Sequence, residues 1–236
     1  MTIERHVFIG GLHRSGTTLL EQLLVQAFDV SCLRMAVPEN EGQHAQSVYS
    51  PARRFGGPGK FAFSAAMQEE LESLGNHARC GEQIMRDWTP YIVGTSSILV
   101  EKSPPNLTKM PWLRKVFPGS KFIVIARDPR ATSAATQKWS KTSLEELMMH
   151  WNVAYSVALE DSDPNDTFWV KYEELASQPG HVIEALGVFI EAQRRKESVG
   201  IAERFAQIDN RNDAYIAMHA CRKYGIGAWD KLGYAV

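Results

Sequence analysis

A stretch near residue 10 combines glycines, hydroxyl groups and a cation in a spacing suited to anion binding. An apolar run ends in Gly10 and Gly11, and Gly16, Thr17 and Thr18 then open a helix with a leucine stripe. Glycines allow a tight turn, so several peptide N–H groups can converge on one anion at the helix N-terminus. The spacing of Gly11 and Gly16, with two threonines following, is typical of a phosphate loop.

The loop differs from that of an ATPase at one position. The lysine expected after the second glycine is Thr17, and the cation of the stretch is Arg14, which precedes that glycine. His13, in the same loop, is interpreted as a residue that shapes the backbone. These features predict an anionic ligand without pointing to ATP.

A second cation, Lys102, follows a predicted strand in the turn Glu101-Lys102-Ser103-Pro104-Pro105. The end of that strand should lie at the same edge of the sheet as the glycine loop. A lysine there is a mobile point charge suited to phosphate or sulfate oxygens. The alternative is a solvated lysine that pairs with Glu101.

A third cation, Arg127, follows the most apolar of the predicted strands. Asp128 is a predicted N-cap and Pro129 a predicted first helical residue. Arg127 would then stand at the corner between strand and helix, where a guanidinium can bind a phosphate through two hydrogen bonds. Arg130 is interpreted as structural. Two neighbouring anion sites indicate a ligand with two separated phosphate-like groups.

The elements that would position these residues are predicted from hydrophobic periodicity. Short continuous apolar runs at 7–9, 97–100, 122–126 and 168–170 are typical of strands buried on both faces of a parallel sheet. Helical stripes lie at 19–28, 144–159 and 182–190, and Ser143 with Glu146 would form a capping box. The alternation predicts an α/β fold whose ligand binds at the carboxyl ends of the strands.

The segment 37–61 is rich in glycine and proline and too long for a bare connector. We expect an ordered but mobile loop over the mouth of the active site, the alternative being a disordered surface excursion. Residues 62–89 are predicted to be helical, and periodicity weakens from about residue 201. With no repeat or linker, we expect a single domain over 1–236, in which 38–90 form the acceptor side.

Composition narrows the class of protein. The chain has 236 residues, is 44% apolar and carries a formal net charge of −1, so nonspecific nucleic-acid binding is not expected. Its three cysteines are far apart and favour a reducing compartment over a disulfide framework. No apolar run approaches the ~20 residues of a membrane helix, and no signal peptide is recognised. These features predict a cytoplasmic protein.

The motifs occur in an order that resembles the sulfotransferase family, with the greatest similarity to its bacterial branch and to tyrosylprotein sulfotransferases. The resemblance covers residues 6–190 and rests on four motifs: Arg14-Ser15-Gly16-Thr17-Thr18 with the preceding glycines, Glu101-Lys102-Ser103-Pro104, Arg127-Asp128-Pro129-Arg130 and Val170-Lys171-Tyr172-Glu173-Glu174-Leu175. It implies a P-loop-like three-layer α/β fold, a central mainly parallel sheet flanked by helices, and an enzyme of EC 2.8.2 type.

The resemblance also implies a donor and its contacts. The co-substrate would be 3′-phosphoadenosine 5′-phosphosulfate (PAPS), the product 3′,5′-adenosine bisphosphate (PAP), and no metal would be needed. The loop from Gly11 and His13 through Arg14, Ser15, Gly16, Thr17 and Thr18 would hold the 5′-phosphosulfate, Arg127 the 3′-phosphate and Tyr172 the adenosine end. The family usually has a serine where this chain has Ala135, and Ser133 is the nearby candidate.

Transfer to an acceptor hydroxyl needs neutralisation of the leaving group and a base. Lys102 is the expected stabiliser of the bridging oxygen, and the candidate bases are Glu41, then Glu39, then His44. The acceptor could be a glycan, a phenol, a lipid, a natural product or a peptide tyrosine. Trp139, Trp151 and Tyr155 are expected in the core.

Two other functions remain open on the residues. One is a P-loop kinase for a nucleotide or small molecule, using ATP and magnesium, which Thr17 and the second phosphate-binding arginine disfavour. The other is a non-catalytic nucleotide-binding module. Magnesium-independent binding of adenosine bisphosphate would distinguish the first from sulfuryl transfer.

Overall fold

A computed structural model describes residues 2–196, 203, 206, 208–219 and 222–236. Its centre is a six-stranded sheet in the spatial order β3-β2-β4-β1-β5-β6, in which only β2 and β3 pair antiparallel. The strands are β1 Arg5–Gly11, β2 Ser31–Leu33, β3 Ile92–Val93, β4 Ile98–Lys102, β5 Lys121–Ala126 and β6 Thr167–Lys171. The predicted mainly parallel sheet is confirmed.

Helices cover both faces of this sheet. Among the described residues they are α1 Thr17–Ala27, α2 Ala65–Ser73, α3 His77–Trp88, α4 Met110–Val116, α5 Pro129–Gln137, α6 Leu144–Asp161, α7 Tyr172–Ser177, α8 Pro179–Ile190, α9 Asn212–Ile216 and α10 Ala228–Lys231. One core cluster joins α1 and α8 to Val7 and Ile9 of β1, and the other joins α3, α4 and α6 to Phe8. Because neighbouring residues of β1 enter opposite cores, the strand is a continuous apolar run.

Two helix starts follow the predicted capping chemistry. Ser143 and Glu146 exchange hydrogen bonds with each other's backbone in a capping box that starts α6. The Asp128 side chain accepts hydrogen bonds from the backbone N–H groups of Arg130 and Ala131, with Pro129 as the first residue of α5. This corner fixes the direction in which the chain leaves β5, just after Arg127.

Three regions differ from the sequence prediction or refine it. The short strands β2 and β3 were not predicted, because two or three residues carry no measurable periodicity. The helical segment 62–89 is divided into α2 and α3 by residues 74–76. The segment 38–61 contains short 3-10 turns and sends Tyr49, Ala52 and Phe61 into the core, so it is ordered; its mobility and the single domain over 1–236 stay predictions.

Candidate active site

The carboxyl ends of the parallel strands bring the predicted cations to one edge of the sheet. Ile9 of β1 is paired with Lys102 of β4, and Gly11 is paired with Ile125 of β5. Arg127 follows β5 by one residue, and Tyr172 begins α7 directly after β6. The parallel register therefore assembles the site from segments more than 150 residues apart in sequence.

The glycine loop has the tight backbone that its sequence predicts. Arg14 and Gly16 have φ values of 71° and 104°, in the left-handed region that favours glycine. A Cβ on Gly16 would lie 2.7 Å from a ring carbon of Tyr172. The Ser15 hydroxyl donates a hydrogen bond of 2.7 Å to the Leu12 carbonyl, so it stabilises the loop from within. No described side chain caps α1, which leaves its first N–H groups available to an anion.

Two arginines flank the loop without a carboxylate partner among the described residues. The guanidinium of Arg14 lies over Trp139 at 4.8 Å from the ring centroid. Arg127 lies over Tyr172 at 4.4 Å; its Nε donates to Asn212 Oδ1 at 2.8 Å and its Nη1 to the Arg14 carbonyl at 3.1 Å. Burial lowers the pKa of Arg127, but a guanidinium keeps its charge at neutral pH. Both cations are thus oriented by aromatic rings and left unneutralised.

Lys102 lies below the loop in a buried cluster. Its side chain is 2% exposed, and its Nζ donates a 2.6 Å hydrogen bond to the Glu39 carbonyl. The same Nζ lies 3.6 Å from Glu41 Oε1. Burial raises the pKa of Glu41, whereas Lys102 and the hydrogen bond from Gln43 act in the opposite direction. Glu41 is therefore a buried carboxylate held next to a cation.

The other two candidate bases lie beside this pair in different ways. His44 Nε2 is 3.7 Å from Glu41 Oε2, and burial followed by the charge of Arg53 lowers the pKa of His44. Glu39 presents its backbone carbonyl to Lys102 and has a left-handed φ of 52°. Of the three candidates, Glu41 is the carboxylate in direct contact with both Lys102 and His44.

Glu101 is not the partner of Lys102. Its buried carboxylate accepts hydrogen bonds from Gly42 N at 2.9 Å, Ser103 Oγ at 2.6 Å and Asn106 Nδ2 at 2.6 Å. Glu101 thereby ties the segment that carries Glu41 to the end of β4. The alternative of a solvated Lys102–Glu101 pair is wrong for this structure.

A cavity of about 230 Å³ opens where these groups meet. Most of the predicted residues line it: His13, Arg14, Gly16, Thr17, Thr18, Glu39, Glu41, Arg127 and Tyr172. Five predicted residues lie outside the lining: Gly11, Ser15, Lys102, His44 and Ser133. Ser133 is buried on α5 and lines a separate small cavity beneath the loop.

The structure differs from the sequence prediction for one aromatic residue and adds a pair of polar residues next to Arg127. Trp139 was expected in the core, but it is 55% exposed and lines the cavity, whereas Trp151 and Tyr155 are buried as expected. Asn212 was not predicted, and Glu173 was named only as part of a motif: Asn212 bridges Arg127 and Glu173 with its side-chain amide. No motif marks Asn212, because its role depends on how the C-terminal segment folds back.

Other features of the described part of the chain bear on the site's chemistry. No group of three or more His, Cys, Asp or Glu residues there could hold a metal ion, and none of its helices is long and apolar enough to cross a bilayer. The Asp128 carboxylate is already engaged as an N-cap and in an ion pair with Arg130.

Comparison with known proteins gives consistent matches. A family model described as "Sulfotransferase family" matches residues 6–195. Protein-tyrosine sulfotransferase 1 of Danio rerio is 28% identical over 187 residues, which cover 73% of this chain and 49% of that protein. Protein-tyrosine sulfotransferase A of Caenorhabditis elegans is 23% identical over 202 residues, covering 78% and 49%. The chain thus spans about half the length of these relatives.

Solved structures match over the whole fold. The sulfotransferase domain of the Synechococcus PCC 7002 olefin synthase has a TM-score of 0.61 at 15% identity, covering 100% of this chain and 96% of that one. A sulfotransferase from Alicyclobacillus acidocaldarius has a TM-score of 0.52 at 17% identity, covering 92% and 96%. At such identities the likeness concerns the fold, and it confirms the predicted α/β architecture.

Proposed function

The chain belongs to the sulfotransferase family, and we propose from that premise that it transfers a sulfuryl group from PAPS to a hydroxyl acceptor. The observation that carries this proposal is the pair of unneutralised arginines, Arg14 and Arg127, at the two sides of one glycine loop. Such an arrangement suits a ligand with two separated anionic groups.

The fit of a PAPS-like donor can be tested on the residues themselves. The uncapped N–H groups of α1 and the guanidinium of Arg14 would hold the 5′-phosphosulfate. Arg127 would hold the 3′-phosphate, because it lines the cavity and two of its nitrogens are fixed by Asn212 and the Arg14 carbonyl. Tyr172 would flank the adenosine side. These residues line one cavity and suit the donor.

In the reaction, an acceptor oxygen bonds to sulfur while the bond from sulfur to the 5′-phosphate oxygen breaks, leaving its electron pair on phosphate. Glu41 would take the acceptor proton, since it is the buried carboxylate that lines the cavity. Lys102 would leave the Glu39 carbonyl and place its ammonium on the leaving oxygen. The shared contact of Lys102 with Glu41 keeps base and cation together.

Two measurements test the proposal. Calorimetric titration of the full chain with PAP, without magnesium, should show saturable binding that Arg127→Ala weakens. A screen of glycan, phenol, lipid and tyrosine-peptide acceptors with sulfur-labelled PAPS should then show label transfer to at least one class. Magnesium-dependent ATP binding together with no binding of PAP would overturn sulfuryl transfer in favour of a kinase.

A further inference from the structure

A small cavity lies directly beneath the glycine loop, separate from the larger cavity of about 230 Å³ in which the donor is proposed to bind. Its walls include Leu12 and His13 of the loop, Ser133 of α5, and Leu147 and His150 of α6. Its volume is about 10 Å³, close to that of a single ordered water.

Two buried polar atoms belonging to the walls of this cavity have no hydrogen-bond partner among the described residues: His13 Nδ1 and Ser133 Oγ. Buried polar groups are almost always paired, directly or through an ordered water. The threonine hydroxyls nearby already donate elsewhere, since Thr136 Oγ1 donates to the His13 carbonyl and Thr132 Oγ1 to the Arg127 carbonyl. His13 Nδ1 and Ser133 Oγ make no direct hydrogen bond to each other, so one ordered water in the cavity is their natural shared partner.

His13 lines both cavities and so lies between them. Burial lowers the pKa of His13 to about 4, and the charges of Lys102 and His44 act in the same direction. The imidazole is thus neutral near pH 7 and carries one proton, on either Nδ1 or Nε2. The hydrogen bond made by the buried nitrogen decides which nitrogen carries it.

The chemistry on the two sides of His13 favours one tautomer. His150 Nε2 accepts a hydrogen bond from Ala62 N, so the proton of His150 is on Nδ1 and that nitrogen is a donor. Phosphate and sulfuryl oxygens only accept hydrogen bonds, so a His13 nitrogen on the side of the larger cavity can pair with such an oxygen only if it carries the proton. His13 Nδ1 is then an acceptor, and the Ser133 hydroxyl can serve it through a water in the small cavity.

We propose that one ordered water in this cavity links Ser133 Oγ to His13 Nδ1, so that Nδ1 accepts a hydrogen bond and the His13 proton stays on Nε2, facing the sulfuryl oxygens of the donor. This assignment rests on the proposed function and extends it. His13 becomes a catalytic hydrogen-bond donor to the group in transfer, with no net proton movement at His13. Ser133 becomes a positioning residue rather than a phosphate ligand.

The first test reads the tautomer and needs no donor. Nitrogen-15 NMR of the full chain labelled at histidine, at pH 7, should show His13 with a protonated Nε2; the His13→Gln spectrum assigns its signal among the seven histidines. Ser133→Ala should convert a measurable part of His13 to the Nδ1-protonated form. Ser120→Ala, which removes another buried and unpartnered serine hydroxyl far from the loop, should change nothing. A wild-type signal from protonated Nδ1, or an unchanged tautomer in Ser133→Ala, overturns the proposal whatever the enzyme transfers.

The second test uses turnover of labelled PAPS. The amide nitrogen of Gln can replace Nε2 of His13, whereas that of Asn lies nearer the position of Nδ1. His13→Gln should keep turnover within about tenfold of wild type, and His13→Asn should lose about a hundredfold or more, the usual effect of removing one donor to developing charge. PAP affinity should be unchanged in both, because PAP lacks the sulfuryl group. Equal losses in the two variants would contradict the assignment, whereas a wild type that binds no PAP would instead contradict the proposed function.

Discussion

The contact between Lys102 and the Glu39 carbonyl places the key cation of the site in a buried position before any donor binds. A buried ammonium needs partners, and Lys102 has two: the Glu39 carbonyl at 2.6 Å and the Glu41 carboxylate at 3.6 Å. Glu39 and Asn40 both have left-handed φ values, of 52° and 55°. The partner that Lys102 must exchange therefore belongs to a segment whose backbone is in an uncommon conformation.

Lys102→Ala should reduce sulfuryl transfer by at least a hundredfold while leaving PAP affinity within a few-fold of wild type. The reason is that the ammonium is expected to act on the leaving oxygen in the transition state rather than on the bound product. Labelled transfer and calorimetry measure the two quantities. Lys115→Ala, which removes an exposed lysine from α4, is the control. Equal loss in both variants would contradict the role of Lys102.

The acid side of the pH–rate profile should report Glu41. Its pKa is raised by burial, and only the deprotonated form can accept a proton, so transfer should rise with pH through a limb above the ordinary glutamate range. Gln43→Met removes a hydrogen bond that favours the carboxylate, and should move this limb to higher pH. Glu41→Gln should abolish the limb along with most activity. A limb that stays in place in Gln43→Met would point to another base.

The positions of Arg14, Lys102 and Arg127 could be predicted at the residue level because each follows the end of a strand or lies in a glycine loop. Ser133 and Trp139 could not. Which side of α5 faces inward depends on packing against α6, and Ser133 is on the inward side. Trp139 lies just after α5, where Arg14 rather than the core provides its contact.

At the level of elements, the glycine loop is held between the start of α1 and the aromatic ring that begins α7. Gly16 combines a φ of 104° with a 2.7 Å approach of any added Cβ to Tyr172. An added side chain at Gly16 would therefore meet both an unfavourable backbone conformation and a clash with the Tyr172 ring. These two effects can be separated by comparison with a glycine that has only the strain.

Gly16→Ala should lower PAP affinity at least tenfold in addition to lowering stability, because the Cβ would displace Tyr172 or the loop. Gly119→Ala is the matched control: its φ is 78° and nothing lies within 4 Å of an added Cβ. The control should lose about 1–2 kcal/mol of unfolding free energy while binding PAP normally. Urea unfolding and calorimetry measure both quantities. Normal PAP affinity in Gly16→Ala would show that Tyr172 does not depend on the loop.

Helix α6 supports the loop through one hydroxyl. Tyr155 OH donates to the Ile125 carbonyl at 2.7 Å and accepts from Leu12 N at 3.3 Å. Tyr155→Phe should lower the unfolding free energy by about 1–3 kcal/mol, since it leaves two buried backbone groups unpaired. Chemical denaturation tests this, with Tyr91→Phe, an exposed tyrosine, as control. The sequence predicts that α6 is capped and that Tyr155 is buried, but not that its hydroxyl joins β5 to the loop.

At the scale of the whole molecule, the C-terminal segment folds back onto Arg127 and Glu173. Glu173 accepts hydrogen bonds from Asn212 Nδ2, from Asp128 N and from Tyr234 OH. Asn212 in turn holds Arg127 Nε. Residues that lie far beyond the last sheet strand thereby help to orient an arginine that follows β5.

Asn212→Ala should weaken PAP binding about five- to tenfold, because the Arg127 fork loses one of its two fixed contacts and about 1 kcal/mol of hydrogen bonding. Calorimetry with PAP measures the effect. Asn165→Ala, which removes an exposed asparagine amide that hydrogen-bonds Asp163 at the opposite end of the sheet, is the control. Wild-type affinity in Asn212→Ala would mean that the stacking on Tyr172 is sufficient to orient Arg127.

The overall architecture could be predicted because four short continuous apolar runs and three striped helices alternate along the chain. The antiparallel edge strand β3 and the return of the C-terminal segment could not. Both depend on contacts distant in sequence: β3 is held by β2, and α9 contacts α5. Local pattern carries little information about such contacts. Cys221 and most of 197–207, including the start of the weakly periodic tail, lie outside the described residues.

The position of β1 in the middle of the sheet has a consequence for synthesis of the protein. Arg5 is paired with Ile98, which follows it by 93 residues, and Val7 is paired with Lys121. At about 5–20 residues per second, a ribosome needs about 5–20 s to supply the first of these partners, and longer for the second. During that time β1 is an apolar strand with both edges open, which a chaperone could bind. The glycine loop that follows β1 packs against Ile125 of β5, so we expect a nascent chain truncated before β5 not to bind PAP.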